Sequence, residues 1–268
     1  MKKKNTFRNI IIAAIFICTF IPFVPIIIWS VSFRWAYPSL APQFGARAWN
    51  YIVSQKSIIS ALFTSIGLSG IVTLISLIVG LPAARALGMY RFKGKKAVEL
   101  IITLPAIVPS LAVIMGLQII FIKIGLINSF LGVVIVHLIP TMPYMVMYLS
   151  STFQDYQVAY EEQARVLGAS TFKSFTLVTI PIIWPGIVVG SLYSFLVSWS
   201  QYLLTIMIGG PTVRTLPTIL FAFLGSGDNA VSSAVSLVFI LPALAMLALS
   251  SKYLSGSNKS SLGGVNKI

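Results

Sequence analysis

The chain has 268 residues, of which 57% are apolar and 9% charged, with a mean hydropathy of +0.94. Soluble domains carry roughly a quarter of their residues as charges, so this composition excludes a soluble fold and predicts an integral membrane protein. The net charge of +14 has a nucleic-acid binder's size, but its placement along the chain marks membrane orientation and attraction to anionic lipid headgroups, with no nucleic acid required. Cys18 is the one cysteine and lies in an apolar run, which excludes an internal disulfide and reads as a small lipid- or core-facing residue.

Charges divide the chain into charge-free windows at 9–33, 57–84, 100–122, 124–154, 174–213 and 229–251. Each exceeds the roughly 20 residues that cross a bilayer core as helix. They predict an all-α bundle of six transmembrane helices, 10–32, 58–86, 97–121, 127–151, 183–208 and 231–252, in a single membrane domain over 1–268. The window 215–227 is too short and reads as interfacial or re-entrant. Lys2, Lys3, Lys4 and Arg8 precede the first apolar run, as in a signal peptide. That run is longer than a signal's apolar region and has no small-x-small cleavage site, so it predicts a retained helix.

Lys and Arg accumulate on the cytoplasmic side of membrane proteins. With an even number of spans, one side holds Arg34, Arg47, Lys56, Lys123 and Arg214. The other holds the remaining 14 of 19, from Lys2 through the 85–96 loop and Lys173 to Lys252, Lys259 and Lys267. Both termini are therefore expected in the cytoplasm of a cell whose plasma or inner membrane holds the chain. The segments 33–57 and 209–230 fall outside. Trp35, Tyr37, Trp49 and Tyr51 in the first suit an interfacial belt. Gly209-Gly210-Pro211, Arg214 and Asp228 in the second suit either a surface for an external partner or simple anchors.

Prolines in membrane helices are tolerated where neighbours or a wet cavity satisfy the freed backbone groups. Pro105-x-x-x-Pro109 and Pro140-x-x-Pro143 make the third and fourth spans candidates for broken, pathway-lining helices, with kinks in a packed bundle as the alternative. No Asp, Glu, Lys or Arg falls in the middle of a predicted span, so there is little machinery for ion coupling. His137 in the fourth span reads first as a hydrogen-bonded packing residue and second as a proton relay. The chain lacks a G-x-x-x-x-G-K-[ST] loop, so energy for uphill movement must come from another chain. Nor does it show a His/Asp/Glu or Cys cluster for catalysis or a metal. An ion-coupled carrier, or a membrane enzyme or scaffold, is the competing class.

Three of the five acidic residues, Asp155, Glu161 and Glu162, sit in one polar interval. There 158–167 reads as a short helix with Tyr160, Ala164 and Leu167 along one face and Glu161, Glu162 and Arg165 on others. Gly168 follows as a helix-ending glycine. Ser170 can cap a second short helix over 171–179, which Pro181 should stop. The result is a helix–glycine–helix elbow at 158–180, which suits either mechanical coupling to a partner or plain connection of two spans.

This elbow resembles the E-A-A loop of permease subunits of ATP-binding-cassette importers. Glu162-Gln163-Ala164 is followed by three residues, then by Gly168-Ala169-Ser170, and Ile180-Pro181 ends thirteen residues after Gly168. Gln163 stands where the family has alanine and Ile180 where it has leucine. The resemblance implies the fold of a type I importer permease and a loop docked on a cytoplasmic ATPase dimer. Glu161, Glu162, Ala164, Arg165, Leu167, Gly168, Ala169 and Pro181 would lie at that coupling site. ATP and Mg would bind the partner ATPase, with no cofactor and no catalytic residue on this chain. A second permease, either a copy or a related chain, and an extracytoplasmic substrate-binding protein complete the implied assembly.

The FVPIIIWSVSF and GGPTVRTLPTILF stretches look most like permeases of the spermidine/putrescine type, a group that also includes thiamine, aminoethylphosphonate and iron importers. A polyamine path would use Tyr144, Tyr148, Tyr193, Trp199 and Tyr202 for cation–π contact, worth ~0.5–2 kcal/mol each. Each of these rings also reads as a packing or interfacial aromatic.

Overall fold

In lipid, a chain can satisfy its own backbone only as helix or closed barrel, and this apolar chain takes the helical route almost throughout. The computed structural model describes residues 2–35, 39, 41–108 and 110–254. Tyr37, Pro109, Lys259 and Lys267, named above, lie outside them.

The first predicted span is two helices, α1 (Lys2–Phe20) and α2 (Phe23–Ser30). Pro22 lacks an N–H, and the chain steps across it with Ile21 N–H on the Ile17 carbonyl and Val24 N–H on that of Ile21. Cys18 is exposed on α1. Strands β1 (Ser32–Arg34) and β2 (Gln43–Phe44) pair antiparallel, with Ser32 opposite Phe44. Then come α3 (Arg47–Ser54) and α4 (Lys56–Met89), which runs 34 residues straight through Pro82.

The third predicted span is also divided, into α5 (Lys95–Ile107) and α6 (Ser110–Lys123). Val108 is extended at φ −75° and ψ 131°, as expected for the residue preceding a proline. The fourth, α7 (Phe130–Gln154), contains Pro140 and Pro143 without interruption. The Pro140-x-x-Pro143 signal for a broken helix is thus overturned, whereas the break in the third span is real.

Next come α8 (Ala159–Val166), α9 (Thr171–Ser174) and α10 (Ile180–Trp199). Between α9 and α10, Phe175–Thr179 forms a π-turn, so Thr171–Trp199 is one helical rod of 29 residues. Pro181 therefore does not stop the elbow's second helix. It sits in the first turn of α10, where the π-turn takes up the register that a missing amide donor would otherwise break. The rod ends at Trp199 rather than at 208, and a further π-turn, Thr205–Gly209, follows. The short window 215–227 holds α11 (Leu216–Ser226), and α12 (Asn229–Leu254) completes the chain. Among the described residues, four helical stretches are long and apolar enough to cross a membrane: Lys56–Met89, Phe130–Gln154, Thr171–Trp199 and Asn229–Leu254. Shorter apolar helices cover Ala14–Ser30, Val113–Lys123 and Leu216–Ser226.

The contacts form two compact units, Met1–Phe63 with Thr218–Pro242, and Thr64–Pro217 with Ala243–Ile268. In the first, α3 buries Ala48 and Ile52, one turn apart, and Tyr51 meets Phe223 edge-on. Arg47 grips Asp228 with two hydrogen bonds of 3.0 and 2.8 Å. Asp228 also accepts from the Val231 amide at 3.2 Å, capping α12.

The second unit is built on α7 against α10. Gly186 of α10 lies so close to α7 that a Cβ there would run into the Thr152 hydroxyl. Small residues at such crossings let membrane helices pack backbone to backbone. One apolar cluster gathers Leu68, Val72, Phe121, Val133 and Ile208, and another Leu87, Met145, Leu149, Phe153 and Ile183.

Candidate functional site

The elbow is shaped by local signals that the sequence carries openly. Gly168 adopts φ +90°, its N–H binds the Arg165 carbonyl at 2.9 Å, and the Ala169 N–H reaches the Ala164 carbonyl at 3.0 Å. This pair of bonds is the Schellman ending, which requires a left-handed residue at the bend. Ser170 Oγ then accepts from the Lys173 amide at 3.3 Å and starts α9.

The faces of α8 differ in exposure. Tyr160 and Leu167 are exposed, and the inward side carries Glu161, with Ala164 half-buried. Glu162, Arg165, Val166, Gly168, Phe172 and Pro181 are exposed, and Ala169 is half-buried. Val166 and Leu167, each 87% exposed, make the tip of the bend apolar.

Glu161 is held from several directions. Arg85 Nη2 donates to both carboxylate oxygens at 2.9 and 2.8 Å. The Thr179 hydroxyl donates at 2.7 Å, and Tyr156 OH at 3.2 Å. Arg165 stands 3.6 Å away, and Ser174 Oγ donates to the Glu161 carbonyl at 3.4 Å. Burial alone would raise the carboxyl pKa, but the hydrogen bonds from Thr179 and Arg85 and the Arg85 charge outweigh it. The group therefore titrates below its ordinary value. Burial pushes the Tyr156 hydroxyl up, against the hydrogen bond to Thr179 and aided by the Glu161 charge.

Sequence reasoning missed Arg85, Tyr156 and Thr179 as partners of this carboxylate. A usable signal existed, since Arg85 is a cation placed at the end of an apolar span, where charges require a partner.

The structure brings three of the five expected pathway aromatics together. Tyr148 and Tyr193 stack at 4.7 Å and 13°, and Tyr144 lies nearly parallel to Tyr193 at 6.4 Å. Trp199 is buried and stacks instead on Phe195 at 5.9 Å, while Tyr202 is half-buried beyond the end of α10. Tyr148 also lines a cavity of about 620 Å³, together with Thr152, Asp155, Gly186, Lys252 and Tyr253. The cavity thus gathers a carboxylate, Asp155, and an ammonium, Lys252, in one lining with Tyr148.

His137 is fully buried, with Ser198 Oγ 3.0 Å from Nδ1 and Thr205 Oγ1 3.0 Å from Nε2, which is the packing role. Among the described residues, no group of three or more His, Cys, Asp or Glu could hold a metal ion.

A predominantly helical, multi-pass membrane protein whose polar elbow carries the E-A-A spacing fits the class of transport permeases. Residues 76–254 match the family of binding-protein-dependent transport system inner membrane components, and the chain belongs to that family. It is 25% identical over 206 residues to the spermidine/putrescine transport system permease protein PotC of Haemophilus influenzae, covering 76% of this chain and 80% of that one. It is 26% identical over 220 residues to the putrescine transport system permease protein PotI of Escherichia coli strain K12, covering 79% and 77%.

Among solved structures, one chain of a bacterial ABC transporter involved in the import of the acidic polysaccharide alginate superposes with a TM-score of 0.74. It is 17% identical, over 94% of this chain and 96% of that one. A second alginate transporter structure, in complex with alginate pentasaccharide-bound periplasmic protein, gives 0.62 at 20% identity over 92% and 94%. At that identity the likeness carries the fold alone. The chain is a permease subunit of an ABC importer, a transport component distinct from the ATP-hydrolysing one.

Proposed function

We propose that this chain lines the substrate path of an ATP-driven polyamine importer and that 158–180 is the elbow that docks on its ATPase. The observation that carries this reading is the exposed apolar tip of the bend, Val166 and Leu167, directly after Glu162 and Arg165 in the interval that holds three of the chain's five acidic residues. An exposed apolar patch with a charged rim suits a partner's cleft. In this reading α1–α2, α4, α5–α6, α7, α10 and α12 are six spans, both termini are cytoplasmic, and 33–57 and 209–230 face outward.

Glu162, Ala164, Arg165, Leu167, Gly168, Ala169 and Pro181 meet the ATPase, while buried Glu161 supports the loop from within. An ATPase dimer binds ATP and Mg, and this chain binds no cofactor. ATP-driven closure of that dimer pulls on the elbow and turns this chain and a second permease outward, toward a substrate-binding protein. For the cargo, the polyamine permeases among the relatives support a small organic cation. The Tyr144–Tyr193–Tyr148 stack and Asp155 offer it π faces and a carboxylate.

Two measurements test this reading. The tagged chain should co-purify with a P-loop ATPase, and Glu162→Lys should weaken that association; a chain that purifies without one would end the proposal. Calorimetry on the cognate external binding protein should show spermidine or putrescine binding. Binding of thiamine, a phosphonate or iron instead would keep the importer and replace the cargo.

A further inference from the structure

We propose that Arg85 is a positioning residue whose pairing with Glu161 makes the docking elbow and α4 move as one body, so that α4 receives the ATPase's motion directly. The inference rests on the docking role given above to the elbow. By covalent connection the elbow belongs to α7 and α10, because α8 follows the end of α7 and α9 runs through the π-turn into α10. Arg85 lies 76 residues before Glu161 in the sequence, so α4 joins the elbow only through side chains.

Those side chains are arranged as a junction. Arg85 approaches the carboxylate from α4, Tyr156 from the turn after α7, and Thr179 from the π-turn, and all end on Glu161 of α8. Around the bend itself there is open space, since a Cβ on Gly168 would meet nothing within 4 Å. Load applied at Leu167 reaches α7 and α10 along the backbone, and α4 at Glu161. A buried carboxylate held in this way cannot let go of its arginine without stranding a charge, which suits it to transmit displacement rather than absorb it.

The test uses the importer purified with its ATPase and partner permease. Nitroxide labels are placed at Ala86 on α4 and Lys173 on α9 in a Cys18→Ser background. Their separation is read without nucleotide and again after vanadate trapping with ATP and Mg. The unsubstituted importer should give one narrow distance distribution, the same in both states. Arg85→Gln should broaden it and make it shift between states while the ATPase stays bound, and Arg85→Lys should narrow it again.

The double variant Arg85→Gln/Glu161→Gln removes the stranded charge. Its unfolding midpoint should recover while the broad distribution persists, whereas a merely stabilising pair would restore both. The proposal is overturned if Arg85→Gln keeps the narrow, unchanging distance, or if the double variant restores it. It is also overturned if the unsubstituted distance already changes with nucleotide, or if Arg85→Gln loses the ATPase. An unsubstituted chain that purifies with no ATPase at all would instead sink the docking reading beneath it.

Discussion

Arg85–Glu161 and Arg47–Asp228 both join distant parts of the chain, 76 and 181 residues apart, with closest contacts of 2.8 Å. By hydrogen-bond geometry the second is the better pair, because two guanidinium nitrogens each meet one carboxylate oxygen. Arg85 uses one nitrogen for both oxygens. Yet Arg47 and Asp228 have side chains 42% and 32% exposed, against 26% and 4% for Arg85 and Glu161. Water can replace either partner in the outer pair, while Glu161 without Arg85 keeps only Arg165 at 3.6 Å and two hydroxyls. The comparison teaches that burial, more than fork geometry, sets what an ion pair does to a fold.

The sharpest way to break that comparison is to remove both arginines and compare unfolding midpoints and denaturant curves in detergent. Arg85→Ala should destabilise by about 3–5 kcal/mol, and Arg47→Ala by no more than about 1 kcal/mol. Equal losses would end the argument from burial. Next in size, Gly168→Val should cost about 1–3 kcal/mol, because a β-branched residue is strained at φ +90° even with open space around it. Gly168→Asn should cost less, since asparagine tolerates left-handed backbone. If valine were harmless in the same unfolding assay, the bend would not depend on the left-handed conformation.

Smaller still, Asp228→Ala removes both the pair and the α12 cap and should cost about 1 kcal/mol, most of it the cap. Asp228→Asn keeps a capping oxygen and should recover most of that loss, which separates the two roles within the outer region. A cost for asparagine equal to that for alanine would assign the effect to the ion pair.

The finest distinction is in acid. Asp228 titrates low because of the hydrogen bond from Arg47, reinforced by the Val231 amide and opposed by burial. Glu161 titrates low through Thr179 and Arg85 despite its burial. A carboxylate with a depressed folded-state pKa contributes its full stability above the ordinary value of roughly 4 and loses it as pH falls through the folded value. Midpoints should therefore fall as the pH drops below that range, and Glu161→Gln and Asp228→Asn should each flatten the decline. A slope that Glu161→Gln leaves unchanged would remove Glu161 from the acid response.

Particular residues show how far the sequence could be read. The Gly168 bend and the Ser170 cap were legible because each depends on atoms within a few residues. The E-A-A spacing led to the importer family for the same reason. Proline was only half legible. Val108 is extended before its proline and the third span divides, yet α7 passes unbroken through Pro140 and Pro143. Proline removes a donor in either case, and the helices around it decide whether the rod survives. The direction of the α8 faces was not legible, because periodicity defines a face without saying which way it turns. Here Leu167 points out and Glu161 points in, since Arg85 arrives from another helix to neutralise it.

The sequence by itself determined that the chain is helical, membrane-embedded and bent at a glycine, because hydropathy and capping act within one or two helical turns or one membrane thickness. Only the tertiary structure decided which carboxylate is buried, which cation meets it, and which tyrosines stack across α7 and α10. Those outcomes depend on segments far apart in the chain meeting in a medium of low dielectric, where an unpaired charge is too costly to keep.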